Sequence, residues 1–210
     1  MVGVAGGSGS GKTSLIRALL EQLPAGSVSV VTQDDYYLPL ERQVKDPNGR
    51  VNFDLPEGID LPGLTTDLLG LKQGVPLRRR EYTFNNAARE AGWVEVRPAP
   101  VVLVEGLFVL HHAPLRELFD LRVFVEASAT EELDRRLRRD ERERGYARSE
   151  ILYQWDHHVL PAHERFLLPH RHTCELVVDN NGPFKAGLSQ LHDGLLRHAP
   201  VLAGRSAQWA

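Results

Sequence analysis

Short apolar runs punctuate the chain, separated by stretches whose apolar positions recur three and four residues apart. Residues 2–5 read as a short buried strand, and 13–23 carry helical spacing through Leu15, Leu19 and Leu20 until Pro24 stops it. Residues 27–32 are β-branched and apolar, 100–104 form a continuous apolar run, and 121–125 and 175–178 look similar. Runs that stay apolar without alternating suit strands covered on both faces. Helical patterns occupy 130–144, 149–166 and 184–196. Strands alternating with helices predict an α/β fold: one domain over residues 1–210, with a roughly five-stranded parallel sheet sandwiched by helices and right-handed crossovers.

One segment breaks this rhythm. Residues 76–83 and 92–97 are short extended runs joined by polar residues, the pattern of a β-hairpin rather than a βαβ unit. They follow a Pro- and Gly-rich stretch at 47–63. Residues 36–97 therefore read as an insertion on the rim of the sheet, carrying a helix and a hairpin on the substrate side, where specificity usually lives.

Composition narrows the class. The 210 residues carry 25 Lys and Arg against 28 Asp and Glu, a net charge of −3, and are 42% hydrophobic and 25% charged. That balance is neither disordered nor membrane-spanning, and no run reaches the roughly 18 apolar residues a bilayer demands. A net acidic chain is a poor nucleic-acid binder. The N-terminus has no basic segment of a secretion signal, and the single Cys174 rules out an internal disulfide and a Cys-based zinc site. The expectation is a soluble, cytoplasmic protein that engages neither membrane nor nucleic acid; assembly into a homo-oligomer is left open.

Gly6-Gly7-Ser8-Gly9-Ser10-Gly11-Lys12-Thr13 fits G-x-x-x-x-G-K-[ST], with an apolar strand before it and a helical pattern after it. The glycines let the backbone wrap closely around phosphate, so several N–H groups point at one anion, and the helix that follows adds its positive end. Lys12 is placed for the outer phosphates, and the Thr13 hydroxyl for Mg²⁺. Such a loop needs an acidic partner for the metal at the end of a nearby buried strand, and Glu105 follows the apolar run 101–104. These features predict a P-loop NTPase/kinase fold binding ATP or GTP with Mg²⁺.

Triphosphate binding alone does not separate a kinase from a switch. The Asn-Lys-x-Asp motif that reads guanine is absent, and Asp46-Pro-Asn-Gly49, which looks like a switch D-x-x-G, follows no strand. After the second strand comes Gln33-Asp34-Asp35-Tyr36-Tyr37. A carboxylate at that strand's end would stand near the γ-phosphate and accept a proton from an acceptor hydroxyl. Side chains of adjacent residues on an extended segment diverge, so one of the two aspartates should face the site.

Residues 131–148 hold seven arginines and six acids. Most read as a solvated helix laced with i,i+3 and i,i+4 pairs. Arg136 and Arg139, however, share a face, and Arg144-Gly145 offers a hinge, so at least two of these arginines should close on phosphate as a helical lid. The nine histidines, among them His157-His158, His163, His170 and His172, read as surface or interface residues, because no acidic or cysteine frame completes a metal site. Trp155 and Phe166 read as packing residues, whereas Tyr36, Tyr37, Phe53 and Phe84 include candidates for contacting an aromatic base.

Together these blocks resemble the uridine kinase family, with phosphoribulokinases as more distant relatives. Besides the glycine loop, the resemblance rests on Gln33-Asp34-x-Tyr36-Tyr37, Asn52-Phe53-Asp54-x-Pro56-x-x-x-Asp60, the hairpin with Tyr82 and Val104-Glu105-Gly106. It continues through Phe119-Asp120-x-x-x-Phe124-Val125, Arg135-Arg136-x-x-Arg139-Asp140-x-x-Glu143-Arg144-Gly145, Gln154, Pro161 and Leu168-Pro169, spanning about residues 2–180. The resemblance implies that Asp34, rather than Asp35, is the general base for a ribose 5′-hydroxyl. It implies that Asp54 binds ribose hydroxyls, that Tyr82 packs at the base, and that Arg136 and Gln154 touch substrate. Thr13 and Glu105 match the magnesium shell, and Arg139 and Arg144 match lid arginines over the triphosphate.

Two positions depart from the family pattern. Ala87 stands where a residue reading the pyrimidine edge, often His, is usual, with Asn85 or Asn86 as substitutes if the loop shifts, and Tyr146 stands where a basic lid residue is usual. The implied activity is phosphorylation of a nucleoside 5′-hydroxyl, uridine or cytidine giving the monophosphate. The alternatives are a kinase of another small alcohol, such as a vitamin riboside or a sugar phosphate, and a regulatory nucleotide switch.

Overall fold

The structure, a computed structural model, describes residues 1–84 and 90–202. In chain order, β1 (Val2–Gly6) leads into α1 (Lys12–Leu20) and β2 (Val28–Thr32), followed by α2 (Leu61–Lys72) and a hairpin of β3 (Leu77–Arg80) and β4 (Trp93–Val96). Next come β5 (Val101–Glu105), α3 (Ala113–Arg116), β6 (Leu121–Glu126) and α4 (Ala129–Glu143). A long helix begins as α5 (Arg148–Gln154) and resumes as α6 (Leu160–Ala162) and α7 (Leu168–Arg171), before β7 (Leu176–Asp179) and α8 (Phe184–His198) close the chain.

The five long-range strands form a parallel sheet ordered β2-β5-β1-β6-β7, as the apolar runs predict, with boundaries within a residue or two. Every residue of β1 and β5 is buried. That is why these strands, up to the Glu105 that closes β5, are continuously apolar: each fully buried Val or Leu contributes about 2 kcal/mol, and both faces are covered. One face carries α1 and α8, whose Leu15, Leu19, Leu191 and Leu195 pack on Val2 and Val4. The other carries α2 and the long helix, whose Leu64, Leu68, Phe166 and Leu167 pack with Ala5, Val104 and Phe124. In the register, Val4 and Thr32 both pair with Glu105, so the loops after β1, β2 and β5 open side by side at the carboxyl edge.

The hairpin is antiparallel, with Leu77 opposite Val96 and Arg80 opposite Trp93. The helix expected over 13–23 ends at Leu20, because Gln22 and Leu23 donate to carbonyls only three residues back and tighten the last turn. The helix expected over 149–166 is longer. It runs from 148 to 171 and contains two π turns, Trp155–Val159 and His163–Leu167. Pro161 and Pro169, each two residues past a π turn, have no N–H for the helical ladder. Leu160 and Leu168 instead donate five residues back, to the carbonyls of Trp155 and His163, which keeps the helix continuous. Trp155 and Phe166 are buried as expected of packing residues. No helix among the described residues is long and apolar enough to cross a membrane.

Candidate active site

The glycine loop runs from β1 into α1, and its shape requires glycine where the backbone is left-handed, at Gly9 (φ 91°) and Gly11 (φ 93°). Neighbours leave no space either: a Cβ on Gly9 would lie 2.2 Å from the Glu132 carbonyl oxygen, and one on Gly11 2.3 Å from Asn180 Nδ2. The loop is thus clasped between α4 and the turn after β7. Asn180 Nδ2 donates to the Ser10 carbonyl at 2.7 Å, and Arg135 donates to the carbonyls of Gly9, Ser10 and Asn180. Lys12 Nζ donates to the carbonyls of Gly6 (2.9 Å) and Gly7 (3.0 Å). Burial lowers the Lys12 pKa, against the carboxylates of Glu105, Asp34 and Glu132.

Three oxygen-bearing side chains meet beside the loop. The hydroxyls of Thr13 and Thr32 both donate to Glu105 Oε1 at 3.2 Å, and Thr32 Oγ1 accepts from the Asp34 N–H at 3.3 Å. The pairing of Thr32 with Glu105 in the sheet dictates this convergence. Burial raises the Glu105 pKa, and Lys12 opposes it. Hard oxygen donors of this kind suit Mg²⁺, which retains waters and substrate phosphates in its shell and needs few protein ligands. Among the described residues no group of three His, Cys, Asp or Glu forms another metal site.

α4 starts at Ser128, whose Oγ accepts from the Glu131 N–H, with Glu131 and Glu132 in the first turn, where acids are favoured. The helix ends at Arg144, left-handed Gly145 (φ 69°) follows it, and Tyr146 N–H donates back to the Asp140 carbonyl at 3.1 Å, satisfying one of the last helical carbonyls. Gly145, part of the Arg144-Gly145 step read from sequence as a hinge, is the left-handed residue just past the Arg144 C-cap. On the inner face, fully buried Asp140 gathers Arg139 (2.7 Å), Arg136 (3.3 Å) and Arg144 (3.5 Å). Against the desolvation that would raise it, Arg139 first, then Arg144 and Arg136, holds the Asp140 carboxyl below its ordinary range. Arg136 also donates to Ser8 Oγ and Gln154 Oε1, each at 2.8 Å, and lies 3.8 Å from Asp54. Arg139 donates to Ser8 Oγ at 3.3 Å, and Arg144 sits 3.9 Å over the Phe84 ring. Arg136, Arg139 and Arg144 are therefore held as one cationic fork against the loop.

The segment after β2 is a 3₁₀ turn (Gln33–Tyr36), not the extended stretch expected, and both Asp34 and Asp35 line the cleft. What separates them is bonding rather than alternation. Asp35 Oδ1 accepts from the Tyr82 N–H at 3.1 Å, and its carbonyl accepts from Arg79, tying it to the hairpin. Burial raises the Asp35 pKa, with the Tyr82 N–H opposing. The Asp34 carboxylate has no hydrogen-bond partner among the described residues. Tyr37, Phe53, Tyr82 and Phe84 form a cluster in which every ring meets the other three, with centroids 5.1–6.4 Å apart. Tyr37 Oη donates to the Phe53 carbonyl at 3.0 Å. Tyr36 faces the core instead, 1% exposed and bonded to Asp67.

A cleft of about 730 Å³ joins these parts. Ser8, Gly9, Gly11, Lys12, Thr13, Asp34, Tyr37, Asp54, Tyr82, Glu105, Arg136, Arg139, Arg144 and Gln154 all line it. Gly6, Gly7 and Ser10 do not; they form the back of the loop, where Gly6 and Gly7 hold Lys12. Tyr146 lines the cleft near Arg144. Asn85, Asn86 and Ala87 lie outside the described residues. Sequence reasoning missed the contacts that clasp the loop: Ser8 as the hydroxyl shared by two arginines, and the parts of Arg135, Asn180 and Glu132. Ser8 and Arg135 stand inside recognised motifs, but no motif encodes these contacts, because the partners across the loop are more than 40 residues away. It also misplaced His158. Expected at a surface or interface, this residue is 2% exposed and pairs with Asp46 at 2.8 Å.

Comparison with known proteins agrees with this geometry. A family model described as the phosphoribulokinase/uridine kinase family matches residues 1–184. Uridine kinase of Deinococcus deserti is 37% identical over 191 residues, covering 91% of this chain and 92% of that protein. Uridine kinase of Staphylococcus carnosus is 32% identical over 188 residues, covering 90% of each. Among solved structures, phosphoribulokinase from Rhodobacter spheroides superposes with a TM-score of 0.62 at 17% identity, covering 85% of this chain and 69% of that one, which speaks for the shared fold.

Proposed function

The chain belongs to the phosphoribulokinase/uridine kinase family, and on that basis we propose that it transfers the terminal phosphoryl group of ATP or GTP to the 5′-hydroxyl of uridine or cytidine, a step of pyrimidine salvage. The observation that carries this reading is the position of Asp34. Its carboxylate, without a hydrogen-bond partner among the described residues, lines the same cleft as Lys12, Thr13 and Glu105 on one side and Tyr37, Asp54 and Arg136 on the other. Its charge acts on both groups, raising the Glu105 and Tyr37 pKa values alongside the larger effect of burial.

In this reading Asp34 accepts the proton of the acceptor hydroxyl and orients it for in-line attack. Asp54, with Arg136 and Gln154 behind it, takes ribose hydroxyls, and the aromatic cluster packs against the base. Thr13 and Glu105 would hold Mg²⁺, which would supply positive charge against the triphosphate. Lys12 has three N–H donors; two are taken by the Gly6 and Gly7 carbonyls and the third is left for a phosphate oxygen. Arg139 and Arg144 present charge to the transferring group, where it spreads over the oxygens. Closure of this fork over the triphosphate would also exclude water.

The test is a panel of acceptors with purified protein, MgCl₂ and either triphosphate, reading nucleoside monophosphate and diphosphate together. Stoichiometric UMP or CMP formation is expected. Faster transfer to a sugar phosphate or a vitamin riboside, or diphosphate release that no nucleoside accelerates, would overturn the assignment.

A further inference from the structure

Two features that the reaction leaves unused meet at one point: the Asp46-Pro-Asn-Gly49 turn and the buried His158. Asp46 Oδ1 accepts from the backbone N–H groups of Asn48 and Arg50, each at 2.9 Å, which closes the turn. Its Oδ2 reaches out of the loop. It accepts from Tyr153 Oη at 2.7 Å and pairs with His158 Nε2 at 2.8 Å. Because a carboxylate only accepts, Nε2 carries the proton of that bond. The side chains of His158 and Asp46 are 1% and 7% exposed. These bonds hold the Asp46 carboxyl well below its usual range despite desolvation.

The helix is built to present both donors. Tyr153 and His158 are five residues apart, which in a regular α-helix sets them about 140° apart around the axis. The π turn Trp155–Val159, in which positions i and i+5 are neighbours, brings them to one side, with ring centroids 5.7 Å apart. More contacts follow the same line: Asn48 Nδ2 donates to Tyr153 Oη at 2.6 Å, Arg50 pairs with Glu150 at 2.7 Å, and its guanidinium lies 3.8 Å over the Tyr153 ring.

The docked loop leads straight into the acceptor side of the cleft. Asn52 N–H donates to the Val44 carbonyl across the base of the turn, and Asn52 Oδ1 accepts from the Asp54 N–H at 2.9 Å. Gln154, between Tyr153 and the π turn, bonds Arg136, which faces Asp54. We propose that Asp46, gripped by Tyr153 and His158, is a positioning residue that sets Asp54 against Arg136 and Gln154 and so governs affinity for the phosphate acceptor. This inference rests on the kinase reading for its substrate, whereas the grip itself concerns the chain alone.

His158→Phe keeps a ring and removes the donor. The acceptor KM is expected to rise roughly tenfold or more, as for loss of a buried hydrogen bond to a charged group, while the triphosphate KM stays within twofold. His158→Gln, which again offers an N–H, should recover most of the loss. An unchanged acceptor KM, both KM values rising together, or Gln behaving like Phe would overturn the proposal. If His158→Phe does not fold, Tyr153→Phe removes one hydroxyl from a half-buried ring and is read in the same way. Hydrogen exchange without ligand keeps the grip testable should uridine and cytidine prove not to be substrates. In the variants, the amides of Asn48, Arg50 and Asn52 should exchange faster while those of β1 and β5 do not; equal protection in variant and parent would refute the grip.

Discussion

The carboxylate of Glu132 is pressed against Gly7: a Cβ built on that glycine would stand 2.4 Å from Oε1. Glu132 is 4% exposed, and Oε1 has no hydrogen-bond partner among the described residues. An acid in that position sits beside the very loop expected to take phosphate. Burial pushes its pKa up to about 7, with Lys12 and Arg135 opposing.

The sign of the consequence follows from linkage. Below the ordinary value of 4.5 the group is protonated folded and unfolded, and it has no effect. As pH rises toward 7 the unfolded chain releases the proton first, so stability falls, by about 3 kcal/mol in full, and the loss persists above 7. Glu132→Gln removes this loss. Urea unfolding should show the variant gaining on the parent between pH 5 and pH 8; a difference that does not change with pH would contradict the assignment.

Asp34→Asn keeps the shape and removes the base. Turnover should fall about 10²- to 10⁴-fold, while triphosphate affinity, measured by competition with a fluorescent analogue, stays within about twofold. Equal losses in both would assign Asp34 to the triphosphate instead.

Lys12→Ala should do the reverse, raising the triphosphate KM at least tenfold through loss of a charge-assisted contact, with a smaller change in acceptor KM. Undiminished turnover at low triphosphate would remove Lys12 from the phosphates.

Asp140→Ala leaves three guanidinium groups without their buried partner. Breaking such a cluster should destabilise the fold by about 3 kcal/mol, seen as a lower midpoint in urea. Asp134 also pairs with an arginine, Arg138, but both are more than half exposed, and Asp134→Ala should cost less than about 1 kcal/mol. Similar effects from the two substitutions would deny Asp140 its organising place.

The sheet was legible because each strand's burial is written locally. Residues 101–104 are apolar throughout since both faces are covered, and Lys12 and Thr13 are announced by the glycines before them. That acids stand at the cleft after the second strand was legible from position, but what distinguishes Asp34 from Asp35 was not: a 3₁₀ turn and the Tyr82 amide set their bonding apart, rather than alternation along an extended chain. The single helix inferred over 149–166 hid two π turns, because helical periodicity does not register a proline that shifts the ladder by one residue.

From its order of residues alone, this chain determines a parallel sheet, a phosphate loop and the acids at the strand ends, since strand burial and loop curvature depend on near neighbours. Only the tertiary structure decides which charges meet. Arg136 finds Ser8 from 128 positions away, and His158 finds Asp46 from 112. Those pairings depend on how helices seat on the sheet, and no local pattern encodes the few ångströms that separate a buried partner from a solvated charge.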